Sequence, residues 1–265
     1  MLKLDHYGVR GTTHAWIKDF LGDRTQQVVL DGEHSSTAPV TSGVPQGTVL
    51  GPLLFMAYIN DLPDQVTSTA RLFADDCLLY RTIKNDDDTV ALQKDLDSLQ
   101  TWENNWLMQF NPDKCEVIHI TNKRKFTCTD YSIHNKTLHT TDNAKYLGVT
   151  INKKLSWNTH IDNICKKANS TRAFLQRNLS KCPTNIKAKC YTTFIRPSVE
   201  FTSTVWDPHT KRNIDKLEAV QRKAARFVLN DYARTSSVTT MLTTLRWDTL
   251  QRRRHIAKIA MTLTS

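Results

Sequence analysis

The chain has 265 residues, of which 36 are Lys or Arg and 26 are Asp or Glu, so its formal net charge is +10 at neutral pH. This length allows one large or two small domains, and a hydrophobic content of 39% is ordinary for a globular protein. The longest apolar run, residues 49–59, is interrupted by Gly51 and Pro52 and is too short to span a bilayer. No signal-peptide pattern opens the sequence. We therefore expect an intracellular protein with no membrane segment; the sequence does not distinguish nucleus from cytoplasm, and it leaves the oligomeric state unknown.

The charge is divided unevenly along the chain. Residues 1–150 contain 14 Lys/Arg and 19 Asp/Glu, a formal charge of −5, whereas residues 151–265 contain 22 and 7, a formal charge of +15. The second half is therefore the part expected to bind a polyanion, since phosphates are held by Lys and Arg. Ribosomal, chromatin and membrane-surface proteins share such a composition, so charge alone does not identify the partner.

A loop rich in glycine and proline precedes an apolar stretch in the first half of the chain. Glycines at positions 43, 47 and 51, with prolines at positions 45 and 52, predict a rigid loop whose bare backbone another molecule can approach closely. Pro52 suits the first turn of the apolar helix that follows. The plain alternative is a Gly/Pro turn in front of a core helix.

Two adjacent carboxylates, Asp75 and Asp76, lie between apolar segments at residues 72–74 and 77–80. This pattern predicts the tip of a β-hairpin, because two charges are tolerated beside a buried strand only at its tip. Side chains alternate along an extended segment, so both acids can reach one reaction centre only where the chain turns. Such a pair suits Mg²⁺, which binds through one or two carboxylates plus substrate phosphates. A solvated Asp-Asp turn is the alternative.

Periodicity predicts strands and helices up to about residue 152 and helices thereafter. Apolar residues at steps of three and four predict a helix capped by Asp88, and residues 115–121 and 145–151 are expected to form strands. Beyond Trp157 the pattern is helical, with three successive apolar stripes.

The third of these later helices also has a cationic face. Arg212, Lys216, Lys223 and Arg226 share this face, beside the apolar one, and predict a strip that could run along a duplex backbone. An ordinary solvated helix face is the alternative.

The loop and the hairpin together resemble the palm of reverse transcriptases, specifically those of non-LTR (LINE-type, jockey/CR1-like) retrotransposons. In that family Gly-Val-Pro-Gln-Gly, here residues 43–47, is the motif B loop, and Phe-Ala-Asp-Asp, here residues 73–76, is motif C. Trp102, Trp106 and residues 110–115 resemble motif D, and residues 145–149 resemble motif E, the primer grip. The segment before motif B and the tail after motif E are also similar to this family, so the resemblance covers essentially the whole chain.

This resemblance implies an α+β fold in two parts. Residues 1–152 would form a partial polymerase palm, an antiparallel sheet with packed helices. Residues 153–265 would form a basic, α-helical, thumb-like region.

The resemblance also implies roles for residues of motifs B and C. Asp75 would coordinate Mg²⁺ directly and Asp76 would support the same catalytic site. Contacts with template or nucleotide are implied for a further set: Gly43, Pro45, Gln46, Gly47, Phe73 and Ala74.

Motifs D and E supply further candidates. Lys114 matches the position proposed to protonate the pyrophosphate leaving group, which suits a lysine beside phosphates; a salt-bridged surface lysine is the alternative. Tyr146, Leu147 and Gly148 would hold the primer, unless they form a plain buried strand. Arg10 and Arg24 are expected either to touch template phosphates or to be solvated.

Family polymerases use a further aspartate, on motif A, which lies before the segment that begins here at Met1. Asp5 falls where the family pattern has a helix, and we interpret it as a surface residue. We therefore expect an incomplete two-metal Mg²⁺ site, a hairpin with an unpaired edge, and no activity from these 265 residues alone.

Three function hypotheses follow. The first is an RNA-directed DNA polymerase that uses an RNA template, a DNA primer and dNTPs. The second is a non-catalytic nucleic-acid-binding remnant of a transposon. The third, a maturase or telomerase-like enzyme, should bring segments of its own that the sequence does not contain.

Overall fold

The computed structural model describes residues 1–264. Its helices are α1 Leu2–His6, α2 Gly11–Leu21, α3 Leu50–Ile59, α4 Asp86–Trp106, α5 Asn158–Asn178, α6 Thr184–Cys190, α7 Arg196–Glu200, α8 Ser203–Trp206, α9 Lys211–Leu229, α10 Val238–Thr244 and α11 Leu250–Thr264. Short 3-10 turns span Pro63–Gln65 and Pro112–Lys114, and a π-helical turn, Tyr191–Ile195, joins α6 to α7. The strands are β1 Thr25–Gln26, β2 Val29–Leu30, β3 Glu33–His34, β4 Ala38–Pro39, β5 Thr69–Phe73, β6 Asp76–Tyr80, β7 Glu116–Val117, β8 Ser132–Ile133, β9 Lys136–Thr137, β10 His139–Thr140, β11 Asn143–Tyr146 and β12 Val149–Asn152.

The chain divides into two compact units, each with its own packing. The first, the hairpin unit, comprises residues 1–115 and 127–139, and the second, the helical unit, comprises residues 116–126 and 140 onward. Antiparallel pairs β1–β4, β2–β3, β5–β6 and β8–β9 belong to the hairpin unit, and β11–β12 belongs to the helical unit. The expected α+β class is confirmed at this level, as a mixture of helices and small antiparallel sheets.

The long helix α4 organises the hairpin unit. It begins at Asp86 rather than at the expected Asp88, because Asn85 is the N-cap and Asp88 completes a capping box as the third helical residue. Leu96, Leu99 and Trp102 form its buried stripe, as the spacing predicted. The carboxylate of Asp88 also accepts hydrogen bonds from the backbone N–H groups that precede the helix.

Buried Asp95 on α4 holds the segment that leads into β5. Its carboxylate accepts hydrogen bonds from the backbone N–H groups of Thr67 and Ser68, both at 2.8 Å. Burial by itself would raise the pKa of Asp95, but the hydrogen bonds from Ser68 and Thr67 outweigh it and hold that pKa below its usual value. The hairpin β5–β6 is thus attached to α4 through the carboxylate of Asp95, both oxygens of which accept hydrogen bonds.

Lys3 attaches α1 to the same unit. Its ammonium group donates to the backbone carbonyl of Tyr58 and, at 2.5 Å, to the carboxylate of Asp61. The nitrogen also lies 3.8 Å from the ring centroid of Trp106 and 4.8 Å from that of Trp102. A buried lysine is tolerated here because an ion pair and aromatic faces replace its hydration.

The helical unit contains the principal hydrophobic core. Nine of its core residues, among them Ile161, Trp206 and Leu217, have no exposed surface. The core also includes Val149 of β12, so the β11–β12 hairpin packs with the helices. The helical periodicity predicted beyond Trp157 is confirmed, although the second stripe is interrupted by the π-helical turn.

The sequence prediction of one strand over residues 145–151 is wrong. The chain turns at Leu147 and Gly148, whose φ angles are +45° and +83°, and β12 returns antiparallel to β11. Two consecutive residues with positive φ are typical of a type I′ hairpin turn. The apolar residues around this turn concealed it from a periodicity argument.

The proposed division at residue 152, between a palm fragment and a thumb-like region, remains a prediction about domains. The boundary between the two compact units does not fall at residue 152, since residues 116–126 and 140–152 lie in the helical unit. Over residues 1–264, no helix combines the length and the apolar character that crossing a membrane requires.

Candidate functional site

The β5–β6 hairpin brings the two adjacent acids to its tip, as the sequence predicted. Phe73 pairs with Asp76, so the turn consists of Ala74 and Asp75 alone. Ala74 has φ +50°, in the left-handed region that favours glycine. The register extends from this tip to the pair Thr69–Tyr80, and β5–β6 is a sheet of two strands within the described chain.

Asp75 and Asp76 are both exposed. Within residues 1–264, neither carboxylate has a hydrogen bond or ion pair with the protein. Throughout this part of the chain no three His, Cys, Asp or Glu side chains lie together in a way that could hold a metal ion. Asp5 lies on α1 and is close to His14, with 3.3 Å between Oδ1 and Nε2.

Two free carboxylates fit a hard cation such as Mg²⁺, which prefers oxygen ligands and commonly takes only one or two from protein. They do not complete its coordination, which needs further oxygen atoms from substrate phosphates, water or another carboxylate. The next residue is Cys77, and burial and then the nearby Cys115 raise the pKa of its thiol to about 11.

The loop before α3 has a fixed backbone. Thr48 Oγ1 donates to the carbonyl of Pro45 at 2.8 Å and accepts from the N–H of Gly51 at 3.0 Å. A Cβ on Gly51 would lie 2.7 Å from the same carbonyl, so only glycine fits there. Arg24 donates from Nη2 to the carbonyls of Ser42 at 3.2 Å and Gly43 at 2.6 Å. The guanidinium of Arg24 is thus used in holding the start of the loop, a role that the sequence did not reveal.

Gln46, at the centre of this loop, is exposed, whereas Pro45 is half-buried. Gly43 and Gly47 have φ +75° and +77°, and a Cβ on either would meet nothing within 4 Å. These glycines therefore satisfy a backbone requirement and leave open space beside the chain. Pro52 lies in the first turn of α3, as expected.

Lys114, the motif D candidate, is the last residue of a 3-10 turn in the hairpin unit. Its side chain is exposed. The neighbouring Asp113, not Lys114, is the member of this turn that forms an ion pair, with Lys136. The alternative of a salt-bridged Lys114 therefore has no support within the described residues.

The primer-grip candidates lie in the helical unit, where Leu147 and Gly148 form the β11–β12 turn and Tyr146 ends β11. A Cβ on Gly148 would approach the ring of Phe201 to 3.0 Å. His160 on α5 supports the hairpin, since its Nδ1 accepts from the N–H of Thr150 at 3.2 Å. Burial lowers the pKa of His160, which favours the neutral imidazole that this acceptor role needs.

The cationic face predicted on α9 is present, but some of its side chains form ion pairs or hydrogen bonds within the protein. Lys216 pairs with Asp162 of α5. Arg226 donates to the backbone carbonyls of Asp231, at 3.3 Å, and Ala233, at 2.9 Å. Arg212 and Lys223 are exposed. Half of the strip is therefore engaged in holding the fold.

Comparison with known proteins gives the family. Residues 3–151 match the model of the reverse transcriptase (RNA-dependent DNA polymerase) family. Over 224 residues the chain is 31% identical to the RNA-directed DNA polymerase from mobile element jockey of Drosophila melanogaster, a match that covers 79% of this chain and 24% of that protein. It is 30% identical to the jockey polymerase of Drosophila funebris, over 79% of this chain and 24% of that protein.

A third relative is the probable RNA-directed DNA polymerase from transposon X-element of Drosophila melanogaster, 28% identical over 80% of this chain and 24% of that protein. The chain thus spans about a quarter of the length of these curated relatives. The resemblance to reverse transcriptases of non-LTR, jockey-like retrotransposons is confirmed. The chain belongs to the reverse transcriptase (RNA-dependent DNA polymerase) family.

Proposed function

We propose that this chain supplies the metal-binding hairpin and the template-contacting loop of an RNA-directed DNA polymerase of a non-LTR retrotransposon. The observation that carries this proposal is the exposed pair Asp75 and Asp76, at a hairpin tip, with no partner among residues 1–264. Carboxylates that stabilise a fold are normally paired or hydrogen-bonded, as Asp95 is. Two adjacent carboxylates that form no ion pair or hydrogen bond, at a tight and strained turn, are instead suited to bind a cation and a substrate.

In the proposed site Asp75 is the direct ligand of Mg²⁺ and Asp76 supports it. When bound, such cations stabilise the attacking 3′ oxygen and the leaving pyrophosphate. The hairpin contributes position, since the β5–β6 register places both carboxylates at one hairpin tip. Phe73, 61% exposed beside them, is suited to pack against a primer terminus.

The remaining roles follow the same proposal. The loop around Gln46 contacts template or incoming dNTP, because Gly43, Pro45 and Gly47 keep its backbone rigid and accessible. Lys114 donates a proton to pyrophosphate, and Tyr146, Leu147 and Gly148 hold the DNA primer. The template is RNA. Residues 1–152 act as a palm fragment and residues 153–265 as a thumb-like region.

The proposal is tested by primer extension in a chimera that carries this chain in place of the matched segment of the jockey polymerase. We expect dNTP-dependent extension on an RNA template, and its loss in Asp75→Asn. The matched control is Asp64→Asn, an exposed aspartate of the same unit, which should leave extension unchanged. Extension that survives Asp75→Asn would refute the metal assignment.

A measurement on the chain itself covers the case of a chimera that does not fold. Electron paramagnetic resonance of Mn²⁺ in the presence of dNTP should detect bound metal that is reduced in Asp75→Asn and retained in Asp64→Asn. Equal binding in both variants would contradict the proposal. We expect residues 1–265 alone to show no primer extension, because no third ligand joins the pair within the described residues.

A second candidate function is nucleic-acid binding without catalysis. The observation in its favour is the formal charge of +15 on residues 151–265. It predicts binding of a primer–template duplex that weakens steeply as salt rises. Because Lys216 and Arg226 are engaged within the protein, Arg212→Gln with Lys223→Gln should reduce the slope of log affinity against log salt by about 2, following about 0.9 per phosphate contact. Fluorescence anisotropy across a salt series measures this slope.

A further inference from the structure

A cationic loop of the helical unit, residues 121–126, is not used by any of the roles above. Its sequence is Thr-Asn-Lys-Arg-Lys-Phe. The loop is anchored at its start, where the N–H of Thr121 donates to the carbonyl of Lys153 at 3.1 Å and Thr121 Oγ1 accepts from the N–H of Lys123 at 3.1 Å. The anchor places the loop beside the end of β12, so its position in the unit is defined.

The three cations of this loop are available to a ligand. Lys123, Arg124 and Lys125 are exposed, and none forms an ion pair with the described residues. The sequence contains one other run of three consecutive cations, residues 252–254, and there every member is paired: Arg252 with Asp248, Arg253 with Glu200 and Arg254 with Asp207. Two runs of the same formal charge thus have opposite uses, one within the fold and one facing outward.

Lys154 adds a fourth cation to the loop. It follows Lys153, to which the loop is anchored, and it is exposed. At the other end of the same β11–β12 hairpin lies the turn at Leu147 and Gly148, the proposed primer grip. Four residues at about 3.3 Å each separate the two ends by ~13 Å, a span that a short stretch of polynucleotide can cross.

An aromatic ring stands next to the cations. Phe126 is 45% exposed. Its other side lies against His119, with ring centroids 5.7 Å apart and an interplanar angle of 44°. The loop therefore combines a half-exposed phenyl ring, packed against His119, with neighbouring cations that form no ion pair. Proteins that bind single-stranded nucleic acids use this combination, because bases stack on the aromatic ring while Lys and Arg contact the phosphates.

We propose that Lys123, Arg124, Lys125, Phe126 and Lys154 form a binding site for single-stranded polynucleotide. The cations contact successive phosphates and Phe126 stacks on an unpaired base. A duplex does not satisfy this site, because its bases are already stacked on one another. The inference rests on the proposed function only in that the ligand is a nucleic acid.

The test uses the full chain, with fluorescein-labelled twelve-nucleotide oligothymidylate and oligouridylate and a duplex of the same length. In the triple variant Lys123→Gln, Arg124→Gln, Lys125→Gln, the slope of log affinity for single strands against log salt should flatten by about 2, following about 0.7 per contact. The matched control neutralises three exposed cations of α5, as Lys166→Gln, Lys167→Gln, Arg177→Gln. An equal loss in both triple variants would show general attraction by a cationic surface and overturn the site.

Phe126→Ala tests stacking separately from charge. It should weaken single-strand binding about fivefold or more without changing the salt slope, and Phe126→Trp should restore affinity. Wild-type affinity in Phe126→Ala would refute the stacking role. The DNA and RNA arms report which polynucleotide the site prefers, and a loss of duplex binding in the loop variants as large as their loss of single-strand binding would overturn the proposal.

These outcomes are separable from those of the proposed polymerase function. Asp75→Asn should leave oligonucleotide binding unchanged, because the loop contains no metal ligand. If Mn²⁺ binding fails to depend on Asp75 while the loop variants behave as expected, the polymerase proposal falls and the single-strand site stands. The reverse pattern removes the site alone.

Discussion

The two units differ in their most completely buried side chains, although both expose some large apolar residues. The largest side chains with less than 2% exposure all lie in the helical unit: Trp206, Arg254, Tyr191, Phe227, Ile161, Ile195, Leu217, Leu250, Gln221, Val199, Val220 and Val228. In the hairpin unit, Val49 is 93% exposed, and Leu53 and Met56 are each 60% exposed on the same face of α3.

The helical unit contains the principal hydrophobic core, whereas the hairpin unit carries the candidate catalytic acids. In the helical unit a buried polar pair is linked within the core: Tyr191 donates to Gln221 at 2.7 Å, and Gln221 donates to the carbonyl of Asp248 at 2.9 Å. The hairpin unit instead directs Asp75 and Asp76 into solvent and holds their hairpin through Asp95. Side chains that must meet a substrate have to remain unpaired in the free protein, and this unit accordingly depends on a few polar anchors.

The same substitution in the two units should have the largest difference in effect. Leu217→Ala removes a leucine with no exposed surface from the core and should lower the free energy of unfolding by about 3–4 kcal/mol. Leu53→Ala, on the exposed face of α3, should change it by less than about 0.5 kcal/mol. Urea unfolding followed by tryptophan fluorescence measures both. Comparable losses would mean that α3 is covered in solution, and the contrast between the units would fail.

Asp95→Ala tests the anchor of the hairpin unit. It leaves the N–H groups of Thr67 and Ser68 without an acceptor, which should cost about 2–3 kcal/mol. Hydrogen exchange of the β5–β6 amides should accelerate while that of α5 and α9 is unchanged. Uniform acceleration in both units would show that Asp95 does not act locally.

The depressed pKa of Asp95 also predicts a pH dependence. A carboxyl whose pKa is lower in the folded protein contributes stability above its unfolded pKa, about 3.9, and loses that contribution as pH falls through the folded value. The wild-type hairpin should therefore loosen below about pH 4. Asp95→Asn, which cannot titrate, should lack this part of the acid response; an identical acid response in that variant would assign it to other groups.

The two hairpin turns should respond with opposite signs to exchange between alanine and glycine. Ala74→Gly relieves a left-handed alanine and should stabilise the hairpin unit by up to about 1 kcal/mol. Gly148→Ala imposes φ +83° on alanine and brings a methyl group to 3.0 Å from the ring of Phe201, so it should destabilise the helical unit by about 1–2 kcal/mol. Thermal melts of both variants report the signs. Two destabilised variants would mean that the Ala74 turn is not strained.

The family could be recognised from local sequence because its motifs are continuous and their chemistry is local. Residues 43–47 and 73–76 each present glycines or paired acids within a few positions, and the structure confirms a loop and a hairpin tip there. The period of α4 and the helical character beyond Trp157 also followed from spacing, because burial of one helix face repeats every three to four residues.

Other features depended on contacts between residues distant in sequence. From sequence, Leu147 and Gly148 were predicted to lie within a strand, whereas in the structure they form the turn between β11 and β12. Arg24 gave no sign in the sequence of its hydrogen bonds to the carbonyls of Ser42 and Gly43. In the sequence, residues 123–125 and 252–254 are equivalent in charge, each a run of three cations. Only the tertiary structure, in which one run is paired with acids and the other forms no ion pair with the described residues, determined which cations stabilise the fold and which are free to bind.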